Sequence, residues 1–256
     1  NIYDVLNETF DDERLKGAIA ADAVLGSAMG PRTPGTVLTW LQRLQGAVNG
    51  PMSLQSGGQS QLVHALTQSA EDAGATFRFN AHVKKVLIEN GKAFGVELSD
   101  GEMLKAKIIV SNADPRTTFS SLVGAPKLDA MFASRAKQIR GSGVVAKLHL
   151  ALSDRPEFTG LAESRLRDRL LIAPSMKYVE HAFNHSKYNE YSENPVLEIT
   201  IPSLHNSALA PAGHHVMSVN VAFVPYELEG GWEEQKTTLA YKIISQIGQY
   251  APDLKS

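Results

Sequence analysis

The sequence predicts an α/β segment joined to an α+β domain whose sheet is mostly antiparallel and flanked by helices. Three observations carry this. Between Gly57 and Pro115, helical spacing gives way to short alternating runs separated by tight-turn dipeptides. From Val144 onward, three longer runs alternate between apolar and mixed positions, the pattern of a half-covered antiparallel sheet. Leu239, Ile243 and Ile247 then close the chain on one helical stripe.

Taken in order, Asp11-Asp12-Glu13 puts acidic residues where a helix N-terminus favours them, and Leu15, Ile19 and Ala23 follow on one face. Residues 30–35 (GPRTPG) are a breaker cluster and must be loop. Residues 37–44 predict a second helix with Trp40 and Leu44 on a shared face, and the Gly- and Ser-rich residues 46–57 a connector. Leu62, Leu66, Ala70 and Ala73 recur at helical spacing as far as Gly74. Residues 76–80 alternate as a strand and 83–88 read as another. Asn90-Gly91 is a strong hairpin signal, with 93–98 as the return limb. After a second turn at Asp100-Gly101, residues 107–110 read as a buried strand that stops at Ser111-Asn112-Ala113-Asp114-Pro115. Short helices follow over 116–122 and 128–139.

In the last part Val144, Ala146, Leu148, Leu150 and Leu152 point one way, and Lys147 and His149 the other. Leu197, Ile199 and Ile201 oppose Glu198 and Thr200; Met217, Val219, Val221 and Phe223 oppose Ser218 and Asn220. Residues 178–191 are polar and aromatic without clean periodicity. The resulting division is a helical part over 1–54, an α/β segment over 55–125, and an antiparallel sheet with helices over 126–256.

Bulk composition narrows the function classes. At 256 residues the chain can bury one large core or two small ones. A net charge of -2 gives no electrostatic footprint for nucleic acid. The absence of cysteine excludes disulfides, thiolate catalysis and cysteine-ligated metals. No apolar run reaches the roughly 18 residues of a membrane span, which leaves peripheral membrane contact open. Residues 1–13 are acidic and polar, unlike a signal peptide, and the lack of an initiating Met suggests a piece of a longer protein. His181 and His185 are four apart, but no Glu follows His181, and spacing places no third ligand, so no metal is predicted. Gly141, Gly143 and Ala146 fit a loose G-x-G-x-x-A string, yet they precede a strand instead of opening a helix and read as a turn. There is no G-x-S-x-G elbow and no G-x-x-x-x-G-K-[ST] loop.

GGQSQLVHALTQSAEDAGATFRFNAHVKKVLIENGKAFGVELSDGEMLKAKIIVSNADP resembles the corresponding block of the phytoene-desaturase and amine-oxidase superfamily of flavoproteins. ERLKGAIAADAVLGSAMGPRTPGT upstream and IPSLHNSALAPAGHHVMSVNVAFVPYELEGGW downstream are similar to its phytoene-dehydrogenase-like branch. The resemblance covers nearly the whole chain. It implies an incomplete FAD-binding segment, Rossmann-like and of amine-oxidase type, joined to a substrate domain. The implied reaction moves a hydride from a small hydrophobic or amine substrate to flavin. In this superfamily the glycine-rich strand-turn-helix lies at the extreme N-terminus and a second flavin motif near the C-terminus. Neither occurs here, so FAD is implied for a longer protein of roughly 500 residues, not for this fragment alone.

The resemblance also carries residues. Val83, in His82-Val83-Lys84-Lys85-Val86, matches the strand whose backbone bonds the adenine end of FAD; the alternative is an ordinary strand valine. Asn112 lies in the piece expected to pass back under the cofactor, or else in a plain strand-ending turn. Lys147 matches the strand lysine that approaches the flavin ring through a water and would be the catalytic residue. A solvent-facing position is its alternative, shared with His149. The substrate side would then be the mixed faces around Lys147, Glu198, Thr200, Ser218 and Asn220. A non-catalytic binding or regulatory protein on the same scaffold, or a complete chain that binds through an exposed sheet, stays open.

Overall fold

Asn1 opens the chain by accepting a hydrogen bond from the Asp4 N–H, which starts α1 (Ile2–Thr9). The computed structural model describes residues 1–48, 58–139, 141 and 143–255. α1 was hidden in an acidic, polar run; its signal is Ile2 and Leu6, four apart and both buried. Asp12 caps α2 (Glu13–Val24) through the Leu15 N–H. The buried face of α2 is Ala20, Ala21, Ala23 and Val24, while Leu15 is exposed. Small residues allow a close approach. A Cβ on Gly17 would lie 2.2 Å from the Ala173 carbonyl oxygen. Residues 30–35 form the expected loop. Buried Thr36 ties that loop down: its Oγ1 accepts from the Ile2 N–H and donates to the Thr33 carbonyl. α3 (Thr36–Val48) runs past the expected helix into the expected connector, the rest of which, 49–57, lies outside the described residues.

α4 (Gly58–Asp72) is followed by β1 (Val83–Glu89), β2 (Lys92–Leu98) and β3 (Met103–Lys105), paired antiparallel in the order β1-β2-β3. Asn90 and Gly91, at φ 48° and 74°, form the two-residue turn that left-handed residues permit. Residues 76–80 and 107–110, expected as strands, lie outside both sheets. A strand needs a neighbour for its backbone groups, and these two runs have none among the described residues. A π-helix (Thr117–Gly124) and α5 (Ala130–Gln138), capped by Asp129, follow.

The second sheet has the order β4-β7-β6-β5, antiparallel throughout: β4 (Val145–Leu152), β5 (Leu170–Ile172), β6 (Leu197–Thr200) and β7 (His215–Ala222). In this part of the chain β5 and α6 (Met176–Ser186) escaped the sequence reading, as α1 and β3 did earlier. β5 is three residues long, and α6 spaces Met176, Val179, Ala182 and Phe183 at helical intervals inside a polar run. α7 (Trp232–Ile247) lays Leu239, Ile243 and Ile247 against Leu197, Ile199, Met217, Val219 and Val221. The opposite face is covered at one end by α2 and α6 through Ala21, Val24, Val179 and Phe183.

The chain divides into two compact units, Asn1–His64 with Ser142–Ser256, and Ala65–Gly141. The first contains the apolar clusters just described. In the second, Gly95, Glu97, Leu98 and Ala136 are the buried residues among those described.

Candidate functional site

Pairing across the second sheet places Lys147 opposite Asn220, and Asn220 opposite Glu198, all on the mixed face. The period of two that buries Leu148 and Val219 towards α7 puts these polar residues on the other side. The Asn220 Nδ2 donates to Glu198 Oε2 at 3.1 Å. Arg169, just before β5, donates from Nη1 to Glu198 Oε1 at 3.1 Å and from Nη2 to Asp22 Oδ1 at 2.6 Å. Arg43 adds an ion pair to the same Asp22 oxygen at 3.6 Å. Charge therefore alternates along one row: Lys147, the amide of Asn220, Glu198, Arg169, Asp22 and Arg43.

Burial opposes the charge on Arg169, but the Asp22 and Glu198 carboxylates outweigh it and hold its pKa above the ordinary guanidinium value. Glu198, with only 12% of its side chain exposed, is fixed from both sides. Asn220 Oδ1 is buried without a hydrogen-bond partner. Beside it Asp22, Val145, Arg169, Glu198 and Phe223 help enclose a cavity of about 10 Å³, room for roughly one water molecule. Beyond the row the face opens. There His149 pairs with Ser218, and Ser218 with Thr200.

Lys147 is exposed on this open face. The five mixed-face residues singled out in the sequence come together on one side of one sheet; Asp22, Arg43 and Arg169 are additions. Nothing local marks those three, since they join the row only through packing of α2 and α3 and the entry to β5. Val83 is the first residue of β1, half-buried and opposite Leu98. β1 is an edge strand, so backbone groups along one of its sides face no strand. Asn112 is exposed and outside regular structure, two residues before Asp114, whose Oδ1 caps the following helix through the Thr117 N–H. Val83 and Asn112 belong to the unit Ala65–Gly141, and Lys147 to the other.

Residues 14–238 match the family model described as flavin containing amine oxidoreductase. The chain belongs to this family. Among its relatives, a mouse (Mus musculus) pyridine nucleotide-disulfide oxidoreductase domain-containing protein 2 is 33% identical over 99% of this chain and 46% of its own length. The carrot (Daucus carota) chloroplastic prolycopene isomerase is 23% identical over 96% of the chain and 38% of its own length. The solved structure of an oxidoreductase from Methanosarcina mazei shares the fold, with a TM-score of 0.62 at 15% identity, over 98% of this chain and 52% of that one. The chain thus spans about half the length of the relatives it matches.

FAD is the cofactor this family implies. A dinucleotide grip needs a glycine-rich turn that passes from a strand into a helix N-terminus within a parallel βαβ unit. Every strand pairing among the described residues is antiparallel, and no described turn has that form. The described residues therefore do not fit FAD by themselves. No described helix is long and apolar enough to cross a membrane.

Proposed function

We propose that this chain is the interior part of an FAD-dependent, phytoene-dehydrogenase-like oxidoreductase acting on a small hydrophobic or amine substrate. Its own contribution is the substrate-facing wall. The observation that carries this reading is the polar row from Lys147 to Arg43, laid on a sheet face that α2 and α6 cover only in part. Such a row is costly to hold beside apolar layers unless every charge is paired. Here the ion pairs run from Glu198, the most buried member, outward through Arg169 and Asp22 to exposed Arg43, and the Lys147 ammonium stands exposed at the other end. That ammonium would orient the substrate and hold or move a proton next to it. The grip on FAD would come from sequence outside the described residues, helped by backbone groups at Val83 and by Asn112.

The test is single-turnover reduction of the longer gene product by candidate amines and polyenes. Lys147→Met should slow the reductive step by about 10²-fold and flatten its pH profile, with the flavin spectrum unchanged. Lys147→Arg should restore part of the rate. Unchanged rate and pH profile in Lys147→Met would remove the lysine from the reaction.

A further inference from the structure

A cleft of about 540 Å³ opens along the outer edge of β5, within the unit that holds the second sheet. β5 and β4 are the two outer strands of that sheet, so the cleft lies at the edge opposite Lys147. Ala18, Phe158, Leu161, Leu170, Ile172 and Tyr250 give it an apolar lining. Its walls are held in place. The Thr159 N–H donates to the Tyr250 carbonyl at 2.8 Å, which anchors the turn made by Gly160 at φ 76°. At the end of β5, the close approach of Gly17 to Ala173 fixes α2. A preformed, mainly apolar cleft with a few polar groups is the usual form of a small-molecule site, and such sites enclose roughly 300–1,000 Å³.

The charges that line it do not cancel. Arg165 pairs with Asp168 at 3.0 Å, and Arg169 is held by Asp22 and Glu198. Arg14, in the first turn of α2 and exposed, has no hydrogen-bond or ion-pair partner among the described residues. Its acidic neighbours are engaged elsewhere: Asp12 caps the helix and Glu13 pairs with Lys16. A cation at a helix N-terminus opposes the helix dipole, so this charge does not serve α2. The guanidinium is left as a two-pronged donor that suits a carboxylate, beside an apolar cleft.

We propose that this cleft binds a monocarboxylate carried on an apolar chain of medium length, with Arg14 gripping the carboxylate and the apolar lining covering the chain. Three observations select that ligand. The unpaired charge among the lining residues is positive, which favours an anion. The rest of the lining is largely apolar, which disfavours inorganic anions and sugar phosphates. And β5 is three residues long, too short an edge to hold an extended peptide by its backbone. The site is separate from the row that starts at Lys147 and does not rest on the flavin reading.

Calorimetric titration of the longer gene product with octanoate tests this without a redox readout. Octanoate should bind at a single site with a Kd below about 1 mM. Arg14→Gln, at an exposed position, should keep the parent's thermal midpoint and weaken binding by about 10- to 100-fold. Arg14→Lys keeps the charge without the fork and should weaken it less. Butanoate, which buries less apolar surface, should bind at least about 10-fold more weakly than octanoate, and octylammonium should not bind. Lys147→Met should leave the octanoate affinity unchanged. The proposal fails if octanoate does not bind, or binds Arg14→Gln as well as the parent. Equal affinity for butanoate or inorganic phosphate would make this a bare anion site, and equal affinity for octylammonium a purely apolar one; either overturns it. Loss of binding in Lys147→Met alone would place the ligand on the substrate-facing row instead. A longer protein without flavin would sink the oxidoreductase reading and leave every one of these outcomes as stated.

Discussion

At Tyr178 one hydroxyl joins α6, α7 and the entry to β6. It donates to the Pro195 carbonyl at 2.9 Å and accepts from Gln246 Nε2 at 2.7 Å. Burial pushes its pKa up to about 12, against the opposing pull of the Gln246 hydrogen bond. Because the folded value lies above the unfolded one of about 10, the fold favours the protonated phenol. That contribution is complete below about pH 10 and is lost as pH rises towards about 12. Denaturant unfolding should therefore show stability falling across that window, and Tyr178→Phe should remove the fall at a cost of about 1 kcal/mol at neutral pH. A second residue-level expectation concerns the polar row. Glu198→Ala leaves Arg169 with Asp22 alone and Asn220 with no partner in the row, and should destabilise by about 1–3 kcal/mol in the same assay. Glu198→Gln keeps one acceptor oxygen for Arg169 and presents its NH2 to Asn220, whose own amide can turn to accept it through Oδ1, and should cost less.

Among the elements, α2 is the one that completes the row, since it carries Asp22 onto the sheet. Gly17→Ala would ordinarily favour a helix by about 1 kcal/mol. Here the added methyl would meet the Ala173 carbonyl at 2.2 Å, so α2 must shift. Calorimetry should register a net loss of more than about 2 kcal/mol; a gain in stability would contradict the close docking of α2. The same element shows why some structure was legible and some was not. β4, β6 and β7 were readable because a one-sided sheet writes a period of two, and Asn90-Gly91 because few dipeptides make that turn. α2 was expected, but with Leu15 on its buried face, because hydrophobicity alone does not reveal that close packing selects Ala20 and Ala21. α1 and α6 were hidden by polar neighbours around sparse apolar residues. Residues 76–80 and 107–110 carry strand patterns, but meet no strand neighbour among the described residues.

For the whole molecule, family and fold were readable from strings spread along the chain, whereas the site was only half readable. Lys147, Glu198 and Asn220 share a face because strands alternate, and that much follows from periodicity. Asp22, Arg43 and Arg169 come from distant positions and meet only through packing. Under the proposed function this chain is the substrate-facing part of a flavoprotein whose nucleotide grip lies elsewhere in the polypeptide. The most direct test is to compare FAD binding by purified residues 1–256 and by the longer gene product, using absorbance and fluorescence of the bound flavin. The account predicts stoichiometric flavin on the longer protein and none retained by residues 1–256. Tight, stoichiometric FAD on residues 1–256, or a well-folded longer protein that takes up no flavin, would contradict it.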